Sequence, residues 1–377
     1  MRNRVKGFTT VTITLLLVSI LVAVSAFIGK VLVSEKRIAL NEIEYRVAFA
    51  AAEKGVASAM AELKVNPTAT VLSGAVAISS AQASYSVTMT PNGAATGVTD
   101  VVSVATLDTG GQTTVSVQLA ERSILNPNSS GPAAPLLVGG ASTGISGNMT
   151  VVANPNGGGP GVPVSVWSGK DISGGGSMQT CHLGDYASGS GCSASISTKS
   201  GGTVVFDTDV VDNDPDFPAD MLEYIFGYGA GDWDKIEAMA TAVVTSCSEV
   251  NAPGFFIVDG GGECDLSGVT SSASSPAIVI VKDANVKANG GDKFYGLLFS
   301  YDSDPTDATV FNLKLNGGAQ IFGAISTNHG GDNLNGTFDA VYDAGVFCIL
   351  TNCDSSGGGV GNPFVSISTI PGSWKDW

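Results

Sequence analysis

The feature that most constrains this chain is an uncharged, apolar stretch close to its N-terminus. Residues 7–29 carry no charged side chain and follow the basic leader MRNRVK. As an α-helix, these 23 residues would be about 35 Å long at ~1.5 Å per residue, which is enough to cross the hydrocarbon core of a bilayer. The stretch therefore predicts a membrane-spanning helix, provided that maturation leaves it in the protein.

An ordinary secretory signal peptide has the same basic start and apolar core. Val24, Ser25 and Ala26 would supply the small residues that signal peptidase requires, and the mature chain would then begin at Phe27. One alternative is therefore a signal that is discarded, and another is a plain membrane anchor.

The sequence beyond this stretch argues against its removal, because it continues as a strong helix former. Between residues 30 and 66 there is one glycine, Gly55, and no proline. Apolar side chains recur there at the spacing of one helix face, at Leu40, Ile43, Val47, Phe49, Ala51, Ala52, Val56 and Leu63. An amphipathic tail continuous with a membrane helix predicts one helix over residues 8–66 that packs against copies or partners.

The leader, which ends in Gly7 and is followed by Phe8, resembles the class III signal of type IV pilins. The segment SEKRIALNEIEYRVAFAAAEKG is similar to that of the PilX-like minor pilins, in which an Arg-x-Ala-x-Asn run precedes an Ala-Phe-x-Ala-Ala-Glu segment. The corresponding residues here are Arg37, Ala39, Asn41, Ala48, Phe49, Ala51, Ala52 and Glu53. The ending PGSWKDW is also similar to the endings of such proteins.

This resemblance implies a processing pathway and a set of partners. Prepilin peptidase would cleave after Gly7, and the new amino group of Phe8 would be methylated. The implied partners are other major and minor pilins and the inner-membrane pilus assembly machinery. The protein would lie in the inner membrane of a Gram-negative bacterium before assembly and in an extracellular pilus afterwards.

The chain departs from the pilin pattern at the fifth residue of the mature protein. Pilins usually carry glutamate there, whereas this chain has Thr12. In the family, that carboxylate lies in the membrane and pairs with the amino group of the neighbouring subunit. A subunit without it avoids burying a charge but cannot neutralise a neighbour already in place. This favours a subunit at the pilus tip that primes assembly; the alternative is a tolerated substitution in a sparsely incorporated subunit.

The residues after the helix predict a small antiparallel sheet over residues 67–122. Apolar and polar side chains alternate around Tyr85–Met89, Val102–Thr106 and Val115–Leu119, with the turn sequences PNG and DTGG between them. One face of this sheet would pack on the end of the long helix. The polar segment containing NPNSSGPAAP predicts a linker over residues 123–135.

An internal repeat indicates the fold of the remaining residues, 136–377. NVKANGGDKFYGLLFS at 285–300 matches NLKLNGGAQIFGAIST at 312–327 with an offset of 27. Such a repeat predicts coils of a β-solenoid, with Asn-Gly-Gly at a corner. We expect a short, irregular parallel β-helix in which residues 144–152 begin an earlier coil, with a helical insertion near 217–247; the alternative is a β-sandwich. The whole chain is therefore predicted to be α+β.

Six cysteines behind an export signal predict disulfides formed in an oxidising compartment. They fall as three neighbouring pairs, which makes local pairing our preference among 15 connectivities: Cys181 with Cys192, Cys247 with Cys264, and Cys348 with Cys353. The sequence contains no CxxC motif and only two histidines, which disfavours a zinc site.

Two acidic segments could supply oxygen ligands to calcium. The first contains Asp207, Asp209, Asp212, Asp214 and Asp216. The second contains Asp302, Asp304 and Asp307. Neither has the spacing of an EF-hand, and solvated acidic turns are the alternative explanation. Calcium is the only cofactor that the sequence suggests.

Charge and motif content restrict the function of the distal residues. From residue 123 onward there are 8 basic and 26 acidic residues, so we expect no binding to nucleic acid. No HExxH motif or phosphate-binding loop is present, and the chain is predicted not to be an enzyme. Aromatic residues that could stack on sugars, or equally be core or subunit contacts, are Trp167, Tyr186, Tyr228, Trp233, Trp374 and Trp377.

These observations predict a minor pilin of a type IV pilus that is tip-associated or primes assembly. Its distal module would serve adhesion, aggregation or partner binding, with a host or bacterial surface ligand. One alternative is a minor pseudopilin of a type II secretion system. Another is a membrane-anchored β-helix protein that binds or cleaves glycans.

Overall fold

The computed structural model describes residues 5–78, 81–95, 97–126, 131–140, 146–307, 309–329, 334–351 and 363–376. The chain forms two compact units. The first, here called the helical unit, comprises the chain up to Leu63, Thr68–Ala120 and Ser368–Trp377. The second, called the distal unit, comprises Lys64–Pro67 and Glu121–Ile367.

One long helix, α1, extends over Val5–Val65. It ends where Pro67 disfavours helical geometry for the residue before it. Its N-terminal half is exposed, whereas a stripe in its C-terminal half is buried: Val47, Ala48, Ala51, Ala52, Val56, Ala59 and Leu63. The predicted long helix is confirmed.

The helical unit packs this stripe against an antiparallel sheet, as predicted. Its strands are β1 (Val71–Ile78), β2 (Ala81–Pro91), β3 (Val98–Leu107) and β4 (Gln112–Ser123), and β23 (Val365–Thr369) follows β4 in the sheet order. The buried face contributes apolar side chains at alternate positions, including Val87, Met89, Val101, Ala105, Val115, Val117 and Leu119.

Two strands of this sheet have no counterpart in the sequence analysis. β1 is rich in Gly and Ala, which give little strand signal, and β23 comes from the far end of the chain. The C-terminal segment Ser368–Trp377 continues along β4: the Ile370 N–H donates to the Gln118 carbonyl at 2.9 Å. The sequence analysis placed this segment in the distal module, because local pattern carries no information about a partner 250 residues earlier.

The distal unit contains many short strands and three further α-helices among its described residues. The strands are β5 Leu136–Val138, β6 Ser146–Val152, β7 Val166–Ser168, β8 Ser177–Cys181, β9 Tyr186–Ala187, β10 Gly191–Cys192, β11 Thr198–Ser200, β12 Thr203–Val205, β13 Val210–Val211, β14 Ala242–Val244, β15 Gly254–Val258, β16 Cys264–Asp265, β17 Ala277–Lys282, β18 Val286–Ala288, β19 Lys293–Tyr301, β20 Leu313–Leu315, β21 Ala319–Thr327 and β22 Leu334–Val341. The helices are α2 Met221–Phe226, α3 Trp233–Met239 and α4 Ala344–Thr351.

Most of these strands pair in parallel and wind into a β-helix with three faces. The first face has the order β14-β15-β17-β19-β21-β5-β7-β13. The second face contains β16-β18-β20 and the start of β22. The third face contains the first halves of β19 and β21, the end of β22, then β6 and β8. Parallel pairing confirms the predicted β-helix rather than the β-sandwich.

The 27-residue repeat corresponds to one coil. Equivalent residues of its two copies are register partners, from Val286↔Leu313 to Ser300↔Thr327. The Asn312 backbone N–H donates to the Asn285 Oδ1 atom at 2.8 Å, so the paired asparagines form a ladder. Gly323 has φ +137° and stacks on Gly296, whose carbonyl oxygen a Cβ atom at position 323 would overlap.

The chain enters the β-helix in its middle. β5 pairs with the end of β21, and β6 pairs along the whole of β22. From there the chain builds outward to β8 and β13, passes through α2 and α3, and resumes with β14 at the opposite end. Residues 144–152 were expected to begin an earlier coil, but β6 instead stacks beyond the last coil of the repeat.

The outer side of the first face is covered rather than exposed. Buried residues of α2, α3 and α4 pack there against Ile278, Ile280 and Phe299. Ile124, Leu125 and Ala134 are buried in the same cluster, so the described parts of the predicted linker belong to a core. These apolar residues flank a polar Ser/Pro/Gly run. The free energy gained by burying them keeps the described parts of the segment in the core, although the run itself is typical of a loop.

Gly55 sits where α1 approaches the sheet most closely. A Cβ atom there would overlap Ser103 Oγ and lie 3.0 Å from Val87 Cγ2. We expect Gly55→Ala to lower the free energy of unfolding, because overpacking costs about 1–3 kcal/mol and alanine's better helix propensity returns at most ~1 kcal/mol. Urea unfolding in detergent, followed by circular dichroism, measures the difference.

Two variants serve as controls for this prediction. Gly29→Ala adds the same methyl group to the same helix, where nothing lies within 4 Å, and should not destabilise. Ser103→Gly combined with Gly55→Ala makes room for the methyl group and should recover part of the loss. Equal stability of Gly55→Ala and the unmodified protein would contradict the close contact.

Candidate functional site

The candidate functional site is the exposed half of α1. Every described side chain from residue 10 to residue 43 is exposed, including large apolar ones such as Leu15, Leu21 and Phe27. The most apolar 18-residue window of the helix has a mean hydropathy of 2.7, and none of it is buried. Length and composition therefore allow this segment to cross a membrane, and a water-exposed surface of this kind requires an apolar partner.

Two hydroxyl groups within this segment, those of Thr14 and Ser19, bond to the helix itself. Thr14 Oγ1 donates to the carbonyl oxygens of Val11 and Thr10, at 2.9 and 3.0 Å. Ser19 Oγ donates to the Leu16 carbonyl at 2.8 Å. Because these two donors are satisfied locally, they keep their hydrogen bonds when the segment enters lipid or a helix bundle.

The transition from exposed to buried surface falls within one uninterrupted helix. Glu42 and Arg46 form an exposed ion pair one turn apart, at 2.9 Å, just before Val47 begins the buried stripe. Burial of this stripe fixes the C-terminal half of α1 to the sheet of the helical unit. The N-terminal half continues the same helix, with its apolar surface available to a partner outside the chain.

The predicted processing residues lie in the first turns of this helix. The backbone of Gly7 and Phe8 is helical, and Thr12 is exposed on the apolar segment. Cleavage after Gly7 and methylation of Phe8 stay predictions. At position 12 the helix carries a neutral hydroxyl where the resemblance leads one to expect a carboxylate.

Two disulfides cross-link the distal unit. Cys181–Cys192 and Cys247–Cys264 have Cα atoms 5.9 and 5.2 Å apart, and both are among the local pairs preferred from the sequence. Cys348 is also disulfide-bonded. Its preferred partner, Cys353, lies outside the described residues, so that pairing stays a prediction.

The five aspartates proposed for calcium have separate structural roles where their contacts are described. Asp209 is fully buried and accepts hydrogen bonds from Ser165 Oγ at 2.6 Å and Ser197 Oγ at 2.5 Å. Asp214 Oδ2 accepts from Trp167 Nε1 at 2.7 Å. Asp207 Oδ1 accepts from the Thr208 N–H, and Asp212 and Asp216 complete the segment.

No group of three or more His, Cys, Asp or Glu side chains in the described part of the chain is placed to hold a metal ion. In the second acidic segment, Asp302, Asp304 and Asp307 each accept a hydrogen bond from a backbone N–H two residues later. These are turn-forming contacts. Calcium binding at either segment stays a prediction.

A polar cluster on the third face of the β-helix has no signal in the sequence. Residues 181–192, here called the strap, cross the outer side of this face and are closed by the Cys181–Cys192 disulfide. Tyr186 O–H donates to Asp339 Oδ2 at 2.6 Å, and Gln320 Nε2 donates to the Tyr186 oxygen at 2.8 Å. Burial and the Asp339 carboxylate raise the pKa of the Tyr186 hydroxyl, so it stays a donor.

Comparison with known proteins identifies the N-terminal segment. Residues 6–57 match the PilX N-terminal family. A solved structure with some likeness is the competence-associated pilin ComZ from Thermus thermophilus, at 10% identity and a TM-score of 0.22 over 88% of this chain and 97% of that one. A likeness at that level carries no argument. No curated protein matches the sequence.

The family match covers the exposed segment of α1 and the start of its buried stripe. The resemblance of this helix to the PilX-like minor pilins is thus confirmed. An apolar N-terminal helix of this family fits a protein that is anchored in a membrane and associated with a pilus. The match does not extend to the distal unit.

A charge in the middle of the exposed segment should weaken membrane anchoring. We expect Val18→Arg to shift the protein from the membrane fraction to the soluble or degraded fraction, because arginine at the centre of a span costs about 2.5–3.5 kcal/mol. Carbonate extraction of membranes followed by immunoblotting measures this. Ile38→Arg is the matched control: it is similarly exposed but lies beyond the charge-free stretch, and full membrane retention of both variants would contradict the assignment.

Proposed function

We propose that this protein is a non-catalytic minor subunit of a type IV pilus. The observation that carries the proposal is the division of α1 into a docked half and an exposed apolar half within one continuous helix. The PilX N-terminal match over residues 6–57 supports it independently.

The exposed half of α1 has two successive partners in this proposal. Before assembly it spans the inner membrane, where lipid covers its side chains. In the filament the same side chains pack against the helices of other major and minor pilins. Each fully covered Leu, Ile, Val or Phe side chain contributes about 1.5–3 kcal/mol relative to exposure to water, so the helix requires one partner or the other at all times.

Thr12 supports a position at the tip of the pilus and a role in priming assembly. A tip subunit has no subunit beyond it whose amino group requires neutralisation. Its lack of a carboxylate therefore leaves no buried charge without a partner. A shaft subunit with threonine at this position would leave the amino group of its neighbour unpaired.

The distal unit carries the function that distinguishes this subunit from a filament-building one. A helix and a small sheet suffice to present α1 to other pilins, yet the chain adds Glu121–Ile367, which contain the β-helix and the helices that cover it. We assign to this unit adhesion, aggregation or binding of a surface ligand. Its acidic character favours a ligand that is neutral or basic.

The maturation of the N-terminus tests the pilin assignment directly. We expect mass spectrometry of the mature protein to find an N-terminus at methylated Phe8, because the apolar segment must survive to act as anchor and packing surface. Gly7→Val should leave the precursor uncleaved, whereas Val5→Ala, two residues earlier, should leave processing intact. A mature chain that starts at Phe27 would exclude the proposal.

Sheared and purified pili distinguish the remaining alternatives. A minor pilin should be present in them and absent from pili of a strain lacking the prepilin peptidase. A pseudopilin of a type II secretion system would undergo the same processing but stay with the secretion apparatus. An anchored glycan-binding or glycan-cleaving protein would be missing from the pili and from the secretion apparatus.

A carboxylate at position 12 should change where the subunit is incorporated. We expect Thr12→Glu to increase its abundance along the pilus shaft several-fold, because the added charge can pair with the amino group of a neighbouring subunit. Quantitative mass spectrometry and immunogold labelling of purified pili measure abundance and position. Thr10→Glu places the same charge two residues earlier and should lower incorporation instead; unchanged abundance and position for Thr12→Glu would contradict the tip assignment.

A further inference from the structure

The third face of the β-helix carries an open cleft beside the strap. Its volume is about 480 Å³, which is within the range of binding sites for small ligands. Its floor is formed by strands β22, β6 and β8, and its walls by the strap and by β11. All residues that line the cleft belong to the distal unit.

Hydroxyl and amide groups dominate this lining. The outward-facing side chains stand in two columns across the strands: Thr337, Asn148 and Ser177 are register partners in the first, and Asp339, Thr150 and Gln179 in the second. Parallel strands set these side chains about 4.8 Å apart. Thr337 and Asn148 are exposed and Ser177 is half-buried, whereas Thr150 and Asp339 of the second column are buried. A ligand that crosses the strands therefore meets a polar side chain of the first column at each step.

The two charged side chains of the lining are buried and hydrogen-bonded within the protein. Lys199 is buried and its ammonium group donates to the carbonyl oxygens of Gly174 and Gly176. Asp339 accepts from Tyr186 O–H at 2.6 Å and from Gln320 Nε2 at 3.1 Å. In a protein with a formal charge of −16, the lining of this cleft contains one basic and one acidic side chain, both of them buried, and its exposed polar side chains are uncharged.

The cleft is organised before any ligand arrives. The Cys181–Cys192 disulfide holds the strap against the sheet, and Gln179 Nε2 donates to Thr150 Oγ1 at 3.2 Å. Gly191 lets the strap pass over this amide, since a Cβ atom there would overlap the Gln179 side chain. Preorganised polar groups bind a ligand with less loss of conformational entropy.

We propose that this cleft binds a neutral oligosaccharide, and that the ligand of the distal unit is therefore a surface glycan. Sugar rings offer hydroxyl groups at every step along the chain, which matches the accessible column of Thr337, Asn148 and Ser177 with the half-buried Gln179 amide beside it. In an extended peptide, side chains point to the same side only at every second residue, or about every 6.6 Å. This period differs from the ~4.8 Å spacing of the strands, so successive side chains of a peptide would not match successive strands. An acidic glycan would be repelled by the charge of the protein. This inference rests on the adhesive role proposed above for the distal unit.

Binding is tested with the full chain in a detergent that has no sugar headgroup. The probes for isothermal titration calorimetry are cellopentaose, maltopentaose and chitopentaose as neutral oligosaccharides, hexagalacturonate as an acidic one, and a Ser/Asn/Gly hexapeptide. We expect at least one neutral oligosaccharide to bind with a dissociation constant of millimolar or tighter. Absence of binding by all three, or binding of only the acidic sugar or the peptide, overturns the proposal.

Paired variants locate the binding. Asn148→Ala with Thr337→Ala removes two exposed polar side chains from the cleft, and we expect at least tenfold weaker binding. Thr88→Ala with Thr114→Ala is the matched control on exposed strand positions of the helical unit and should bind as the unmodified protein does. Equal binding by both double variants overturns the assignment of the cleft.

Incorporation into pili separates this inference from the pilus assignment. Both double variants should enter purified pili at unmodified levels, because neither touches α1. A protein that binds the oligosaccharide through the cleft but is absent from pili would refute the pilus role and leave the glycan site standing. Presence in pili without oligosaccharide binding would refute the glycan site alone.

Discussion

The hydrophobic effect acts differently on the two halves of α1. In the C-terminal half, a stripe of alanine and valine side chains is covered by the sheet of the helical unit. In the N-terminal half, no described side chain from residue 10 to residue 43 is covered by the chain itself. Because the helix is continuous, the docked half fixes the direction of the exposed half, and the protein depends on lipid or other helices to remove that surface from water. Insertion into a membrane and packing against other helices in a filament would each remove this apolar surface from water.

In the distal unit, stacking of the coils buries the apolar side chains. Each coil of the β-helix covers the apolar interior of the next, and the corners depend on residues that tolerate close stacking, such as the glycines at 296 and 323 and the asparagines at 285 and 312. The chain enters this stack in the middle, so sequence-distant strands β6 and β22 are neighbours. The outer sides of the faces are then free to differ: helices cover the first, whereas the strap covers only part of the third and leaves a polar cleft.

Local patterns predicted the features that depend on neighbours in sequence. The long helix followed from uninterrupted helix formers, and the coil followed from a repeat whose offset of 27 residues equals the strand register. Patterns failed where the partner is remote. The strap gave no sign of its contact with the third face, because Tyr186 and Asp339 are 153 residues apart. Calcium binding at the acidic segments stays a prediction, but composition gave no sign that the hydroxyls of Ser165 and Ser197 donate to the Asp209 carboxylate.

The sequence by itself determined that an apolar rod begins this protein, that Thr12 stands where pilins carry a carboxylate, and that glycine-rich coils follow. These are properties of composition and period, and they are fixed by residues a few positions apart. Only the tertiary structure decided which half of α1 is covered, which end of the chain completes the first sheet, and which polar side chains lie together beside the strap. Those outcomes depend on which remote surfaces bury one another, because the free energy of burial is gained only when both partners are in place.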